Sequence, residues 1–164
     1  MALKDALVAE MKHEAANTRK MLERIPTPSF QWKPHEKSYS LIRLAQHLAN
    51  LPVWTRYTLL KDELDFDQPI ERPRPVESTE ELLVFFDKQL LQALEILDEA
   101  DDVLLNTSWT MRKGEQVYFT LPKKIVLRSF VFNHIVHHRG QLSVYLRLLN
   151  IPVPGMYGPS ADER

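Results

Sequence analysis

Apolar residues recur at helical spacing in four separate stretches of this chain, with prolines and irregular sequence between them. The first stretch covers roughly residues 3 to 25, where Leu3, Leu7, Met11, Ala15, Leu22 and Ile25 share a face. Pro26 and Pro28 end it, because proline has no amide hydrogen to continue the ladder. Ser40 is a good N-cap for the second, whose stripe is Leu41, Leu44, Ala45, Leu48 and Leu51, extended by Trp54 and Leu59. Pro52 lies inside that pattern and should kink the helix or end its first half. The third opens at Ser78-Thr79-Glu80-Glu81, with Ser78 and Glu81 at capping-box spacing. It carries Leu82, Phe85, Phe86, Leu90, Ala93, Leu94 and Leu97. The fourth runs from about Pro122 to Leu149, with Leu127, Val131, His134, His138, Leu142, Tyr145 and Leu149 on one side. Four such stripes bury themselves against one another, which predicts an all-α four-helix bundle.

The segments between them differ in kind. Residues 29 to 39 form an irregular connector with Phe30 and Trp32 in exposed-looking positions. A connector with Pro69, Pro73 and Pro75 has no apolar period and is long for a tight helical hairpin. Thr107–Met111 and Val117–Thr120 alternate around Lys113-Gly114-Glu115, which predicts a small β-hairpin inserted before the last helix. The segment after residue 150 is rich in proline and glycine yet contains Ile151, Val153, Met156 and Tyr157. Those apolar groups predict a tail that folds back on the helices, near the open end of any site there, with Tyr157 protected.

At 164 residues the expectation is one domain, residues 1–164, with enough chain for a real core. The net charge of −1 lacks the basic excess of a general nucleic-acid binder. No stretch approaches the roughly 20 apolar residues of a membrane span, and the charged start is unlike a signal peptide. The expected setting is soluble and cytoplasmic. There is no cysteine, so disulfides, thiolate ligands and a cysteine nucleophile are excluded.

His134 and His138 are four residues apart on a helix, so their rings stack on one face. Spacing alone leaves two readings open: a pair of metal ligands, or two core histidines hydrogen-bonded to neighbours. Two stacked core imidazoles are hard to satisfy, at about 1–3 kcal/mol per unmet group. His47 sits on the inward stripe Ser40, Leu44, His47, Leu51, Trp54 and favours the metal reading. Three histidines without a fourth protein ligand leave a position open, as in catalytic zinc sites. His137 lies about 60° around the helix from His134, beside the ligands rather than among them. His13 and His35 fall on a polar face and in a connector. Gly140 inside a helix costs about 1 kcal/mol and suggests close approach of another group. Arg139 and Gln141 are candidates for anchoring a substrate or the ligands, though Arg139 is equally a solvated charge. Glu14 and Thr18 interrupt the first apolar face. Glu14 is either an inward carboxylate, partner or general base, or the edge of the polar face, the second being favoured.

Several segments together resemble the DinB family of DinB/YfiT-like metalloenzymes: Trp32 to Ser38, Leu44-Ala45-Gln46-His47-Leu48, His134 to Arg147, and Ile151 to Glu163. The resemblance covers nearly the whole chain. It implies a four-helix bundle of up-down-down-up topology, commonly a homodimer. It implies a divalent metal, zinc or nickel in first place, on three histidines that match His47, His134 and His138. It further implies a thiol-dependent S-transferase that joins a low-molecular-weight thiol to a small-molecule electrophile, with no nucleic acid or membrane as partner. Metal-dependent hydrolysis and a non-enzymatic metal-binding bundle of a stress response are the alternatives. No catalytic side chain is assigned, and Glu14, His137, Arg139, Gln141 and Tyr157 are the candidates for substrate contact or support of the ligands.

Overall fold

The computed structural model describes residues 2–163. The chain is mostly helical, with one small sheet. Helix α1 (Leu3–Glu23) is followed by a 3-10 turn (Thr27–Ser29) where Pro26 and Pro28 stop the longer helix. Helix α2 (Leu41–Asn50) starts at Ser40, whose Oγ accepts from the Arg43 amide at 3.4 Å. Pro52 breaks the second stripe, and a separate α3 (Val53–Leu59) follows. Helix α4 (Thr79–Asp98) is capped by Ser78, whose hydroxyl accepts from the Glu81 amide at 3.2 Å. The Glu81 carboxylate turns back to the Glu77 amide at 3.0 Å, one residue earlier than a capping box requires.

Packing explains why these helices exist. Ten residues make a marginal helix in water, so α2 needs its neighbours. Leu41, Leu44 and Leu48 are all fully buried, and each contributes about 1.5–3 kcal/mol by leaving water. That outweighs the roughly 1 kcal/mol of its serine cap. Helix α1 packs on α4 and on the last helix, and α2 packs on the same two. Their stripes form one apolar cluster, including Leu7, Met11, Leu22, Phe86, Ala93, Leu97 and Leu142.

Four features differ from the sequence expectations. The predicted hairpin is present as β2 (Ser108–Lys113) and β3 (Gln116–Pro122), but it belongs to a three-stranded sheet. Strand β1 (Glu63–Asp65) joins β2 in parallel, held partly by Arg112 against Glu63 and Asp65. Glu-Leu-Asp has little strand character, so the ion pairs and not propensity recruit it. The sheet encloses a second small core of Leu64, Trp109, Met111 and Val126. Second, a short α5 (Asp102–Asn106) sits between α4 and β2, capped by Asp101. Third, the last stretch is not one regular helix. It comprises α6 (Lys123–Leu127), a π-helical segment (Arg128–Asn133) and α7 (His134–Leu148). Fourth, Phe30 is buried rather than exposed; Trp54, as its place on the inward stripe predicts, packs against both cores.

The buried line along the end of the chain is Val131, Ile135, Arg139, Leu142 and Leu146. His134, His138 and Tyr145 run beside it, half-buried. The histidines therefore line the rim of the core, not its centre. Both lines obey helical spacing, and Arg139 conceals the buried one because charge normally marks a surface. Gly140 is exposed, and a Cβ there would meet nothing within 4 Å inside the chain. Close approach within this chain is thus not its purpose. The tail does fold back, with Ile151, Val153 and Met156 packed on the main core and Asp162 paired with Arg147. Tyr157, however, is 65% exposed rather than protected, and it bonds to Glu14 and Arg139, not to the histidines. Among the described residues, no helix is long and apolar enough to cross a membrane.

Candidate metal centre

His47 lies in the last turn of α2, while His134 opens α7 and His138 follows one turn later. Packing of α2 on α7 brings the three rings together. Ring centroids are 5.2 Å apart for His47 and His134, 4.6 Å for His47 and His138, and 4.6 Å for His134 and His138. One nitrogen from each ring falls within 4.8 Å of the other two, a grouping able to hold a metal ion. The spacing can be tested against coordination chemistry. Tetrahedral zinc with nitrogens at about 2.0–2.1 Å separates its ligands by about 3.3–3.4 Å. His47 Nε2 and His134 Nε2 stand 3.4 Å apart. The donor set fits a borderline-soft divalent cation such as zinc or nickel, which imidazole suits.

The electrostatics favour the form that binds metal. Burial pushes His47 down from 6.5 to about 4, with His138, His134 and Arg43 adding to the shift. Burial likewise lowers His134, helped by His138 and opposed by a hydrogen bond to the Phe130 backbone. His138 is lowered by burial, with the Gln141 hydrogen bond acting the other way. Near pH 7 the rings are neutral, as metal ligands must be. Gln141 Oε1 is 2.7 Å from His138 Nδ1. An amide oxygen there accepts the Nδ1 proton and leaves Nε2 with its lone pair. Hydrogen-bond support of this kind orients ligating histidines.

The other sequence candidates divide between two places. His137 is exposed, with its ring 4.8 Å from that of His138 and outside the three-nitrogen group. His13 and His35 also lie outside it. Glu14, Arg139 and Tyr157 meet one another where α7 packs on α1. Arg139 is 3% exposed and Glu14 is 7% exposed, so neither is a solvated charge or the edge of a polar face. Arg139 Nη2 reaches the Glu14 carboxylate at 2.5 Å and also donates to the Tyr157 hydroxyl. Arg139 Nη1 donates to the Glu14 carbonyl at 2.9 Å and to Thr18 at 3.3 Å. Tyr157 donates to Glu14 at 2.7 Å, and burial with that bond raises its pKa. This network ties the tail to two helices. Its hydrogen bonds reach none of the three histidines.

Two cavities open on the histidines. One of about 490 Å³ reaches His138 and is walled by Leu44, Gln141, Val144 and Tyr145. Another of about 600 Å³ reaches His47. Tyr39 borders both. Tyr39 escapes a motif search because it lies in an irregular connector, and Tyr145 because an aromatic residue on a helical stripe looks like ordinary packing. Lys123 was missed as well. It is 1% exposed and donates to the Lys61 carbonyl at 2.7 Å, just beyond the end of α3. There its positive charge satisfies carbonyls left over at a helix end.

The DinB family model matches residues 1–164. This chain belongs to the DinB family. An uncharacterized protein of Bacillus subtilis (strain 168), YrdA, is 29% identical over 164 residues, covering 97% of this chain and 90% of YrdA. A DinB-like protein from Bacillus cereus ATCC 10987, solved by crystallography, is similar with a TM-score of 0.67 and 25% identity. That match covers 89% of this chain and 92% of the other. The Bacillus subtilis DinB-like protein YjoA shares the fold at a TM-score of 0.72 and 18% identity, covering 97% of this chain and 99% of YjoA. The DinB fold thus extends over the small sheet and tail as well as the long helices.

Proposed function

We propose that this DinB protein is a metal-dependent S-transferase that joins a low-molecular-weight thiol to a small electrophile. His47, His134 and His138 are the ligands, with zinc or nickel as the ion. The observation that carries the reading is the group of three neutral imidazoles, drawn from two helices, with cavities beside it. No fourth described side chain belongs to the group, which leaves room for a reactant. A bound divalent cation supplies the charge that keeps a thiol sulfur deprotonated near neutral pH. The chain itself brings no thiol, so the nucleophile must arrive with a cosubstrate.

The residues then have defined tasks. The rim position of the histidines keeps one side open while the buried line behind them stays dry. Gln141 holds the His138 ring in one orientation. The two cavities hold two reactants on either side of Tyr39, close enough for proximity to replace a bimolecular encounter. In the transfer, the thiol proton goes to solvent. The sulfur forms a bond to carbon, and the leaving group departs with its electron pair.

The pairwise packing α1–α4–α2–α7–α1 supports the finer reading of the fold as an up-down-down-up four-helix bundle. The test of function is metal analysis of untagged protein, followed by conjugation of a panel of small thiols to 1-chloro-2,4-dinitrobenzene. Rates that vanish with chelator and return with zinc or nickel are expected. Conjugation unaffected by chelator overturns the reading, and metal-dependent ester hydrolysis without any thiol replaces it with a hydrolase.

A further inference from the structure

Arginines in this chain are generally neutralised. Arg19, Arg24, Arg56, Arg112, Arg128, Arg139 and Arg147 each form an ion pair. Among the described residues, Arg43, Arg72 and Arg74 form none with a described carboxylate. These three are not scattered. Arg43 and Arg72 line the cavity at His47, and Arg74 follows in the same proline-rich connector. No described Asp or Glu lines that cavity. An acid-free wall with two unpaired guanidinium groups is notable in a chain whose net charge is −1.

The connector is held in place, which gives the wall its shape. Glu71 pairs with Arg56 at 2.8 Å on one side of Arg72. On the other side the Gln46 amide donates to the Arg74 carbonyl at 2.6 Å. Pro73 and Pro75 fix φ between and beyond these ties. Across the cavity, the Arg43 guanidinium lies 4.0 Å over the Tyr39 ring. Stacking orients the guanidinium and leaves its N–H fork free for a carboxylate or phosphate. Gln31 and Asn50 add neutral amides to the same wall. At about 600 Å³ the space suits a small molecule. The His138 cavity has a different wall, with Leu44, Val144 and Tyr145 and no arginine.

We propose that the His47 cavity is a binding site for a small polyanion, whose carboxylate or phosphate groups are taken by Arg43 and Arg72. The site sorts reactants by charge: the anionic one enters beside His47 and the apolar one beside His138. Only this sorting rests on the transferase reading; anion binding does not.

The test uses metal-free full-length protein at low salt. Tricarballylate and inorganic phosphate are titrated separately, with the neutral triamide of tricarballylate as control. The readout is the NMR shift of the side-chain amides of Gln31 and Asn50 and of the Arg43 and Arg72 Nε–H groups. At least one anion should saturate, and the tighter one identifies the preferred group. The triamide should not bind. The exposed double variant Arg43→Gln, Arg72→Gln should weaken saturation about tenfold while keeping zinc affinity and helix content. Absence of saturation by both anions, equal binding of the triamide, or an unweakened double variant overturns the proposal. Anion binding without any thiol conjugation sinks the transferase reading alone. Metal-dependent conjugation without anion binding sinks this site alone.

Discussion

Three imidazoles at the rim of an apolar core are a chemical constraint as much as a site. Burial holds His47 at about 4, below the ordinary 6.5 that the unfolded chain shows. Between those values the unfolded chain takes up a proton that the folded chain refuses. The metal-free protein therefore keeps its full stability above about pH 6.5 and loses it as the pH falls toward 4. His134 and His138, lowered in the same direction, add to the slope. Urea midpoints measured in chelator from pH 7 to pH 4 check this, and a flat profile would show that the rings are solvated. His138→Ala should leave the helices intact, because the apolar stripes supply the core. It should weaken metal binding strongly and abolish thiol transfer, since two imidazoles hold the ion poorly. Circular dichroism, metal affinity and conjugation rate on one preparation decide the matter; loss of helix with loss of metal would mark a structural ion. Arg139 is a different case. Arg139→Leu leaves the Glu14 carboxylate buried without its partner, at a cost of about 3–5 kcal/mol in denaturant unfolding, with metal affinity retained.

Element boundaries follow local chemistry where a cap or a proline marks them. Ser40, Ser78 and Pro52 act where their types predict. Strand β1 and the π-helical segment carry weak local signals, because the ion pairs of Arg112 and Arg128 help hold them in place, whereas α5 has its own local cap in Asp101. π-Helical segments are rare and often accompany functional sites; this one ends where His134 begins. Helix α3, split off by Pro52, contains a local defect of its own. Among the described residues, Thr55 and Thr58 hold buried hydroxyls without a hydrogen-bond partner. An unmet buried polar group costs about 1–3 kcal/mol, and valine has nearly the same shape. Thr55→Val with Thr58→Val should therefore raise the melting temperature, by about 1 kcal/mol per site in stability. A drop of that size, seen by calorimetry, would show that the hydroxyls are bonded in solution.

At the scale of the molecule, the outer side of α7 is unusual. Val136, Val144 and Leu148 are exposed, and with Gly140 they recur every fourth residue. A helix face of this kind, flattened by glycine, suits a second copy of the chain across a two-fold axis. This face offers a surface for the homodimer that the family resemblance implies, whereas Phe30, exposed-looking in sequence, is buried. Light scattering should give twice the chain mass at about tens of micromolar, and Val136→Glu, on the same face but away from the cavities, should return it to the monomer. A monomer mass for the unaltered chain would remove the dimer.

Sequence alone was enough for the apolar stripes of α1, α2 and α4, the serine caps of α2 and α4, the hairpin turn at Gly114 and the stacking of His134 on His138. Each depends on near neighbours along the chain: helical period, side-chain-to-amide bonds, or residues one turn apart. Histidine spacing could place His134 beside His138, but only the packing of α2 on α7 decides that His47 joins them. Tertiary structure also decided that Arg139 is buried, because its partner Glu14 lies 125 residues earlier on another helix. The pairing of β1 with β2 and the gathering of Arg43 and Arg72 at one cavity are of the same kind. A charge reads as surface until the fold supplies its counter-charge, and an unpaired arginine becomes informative only once every other arginine has been placed.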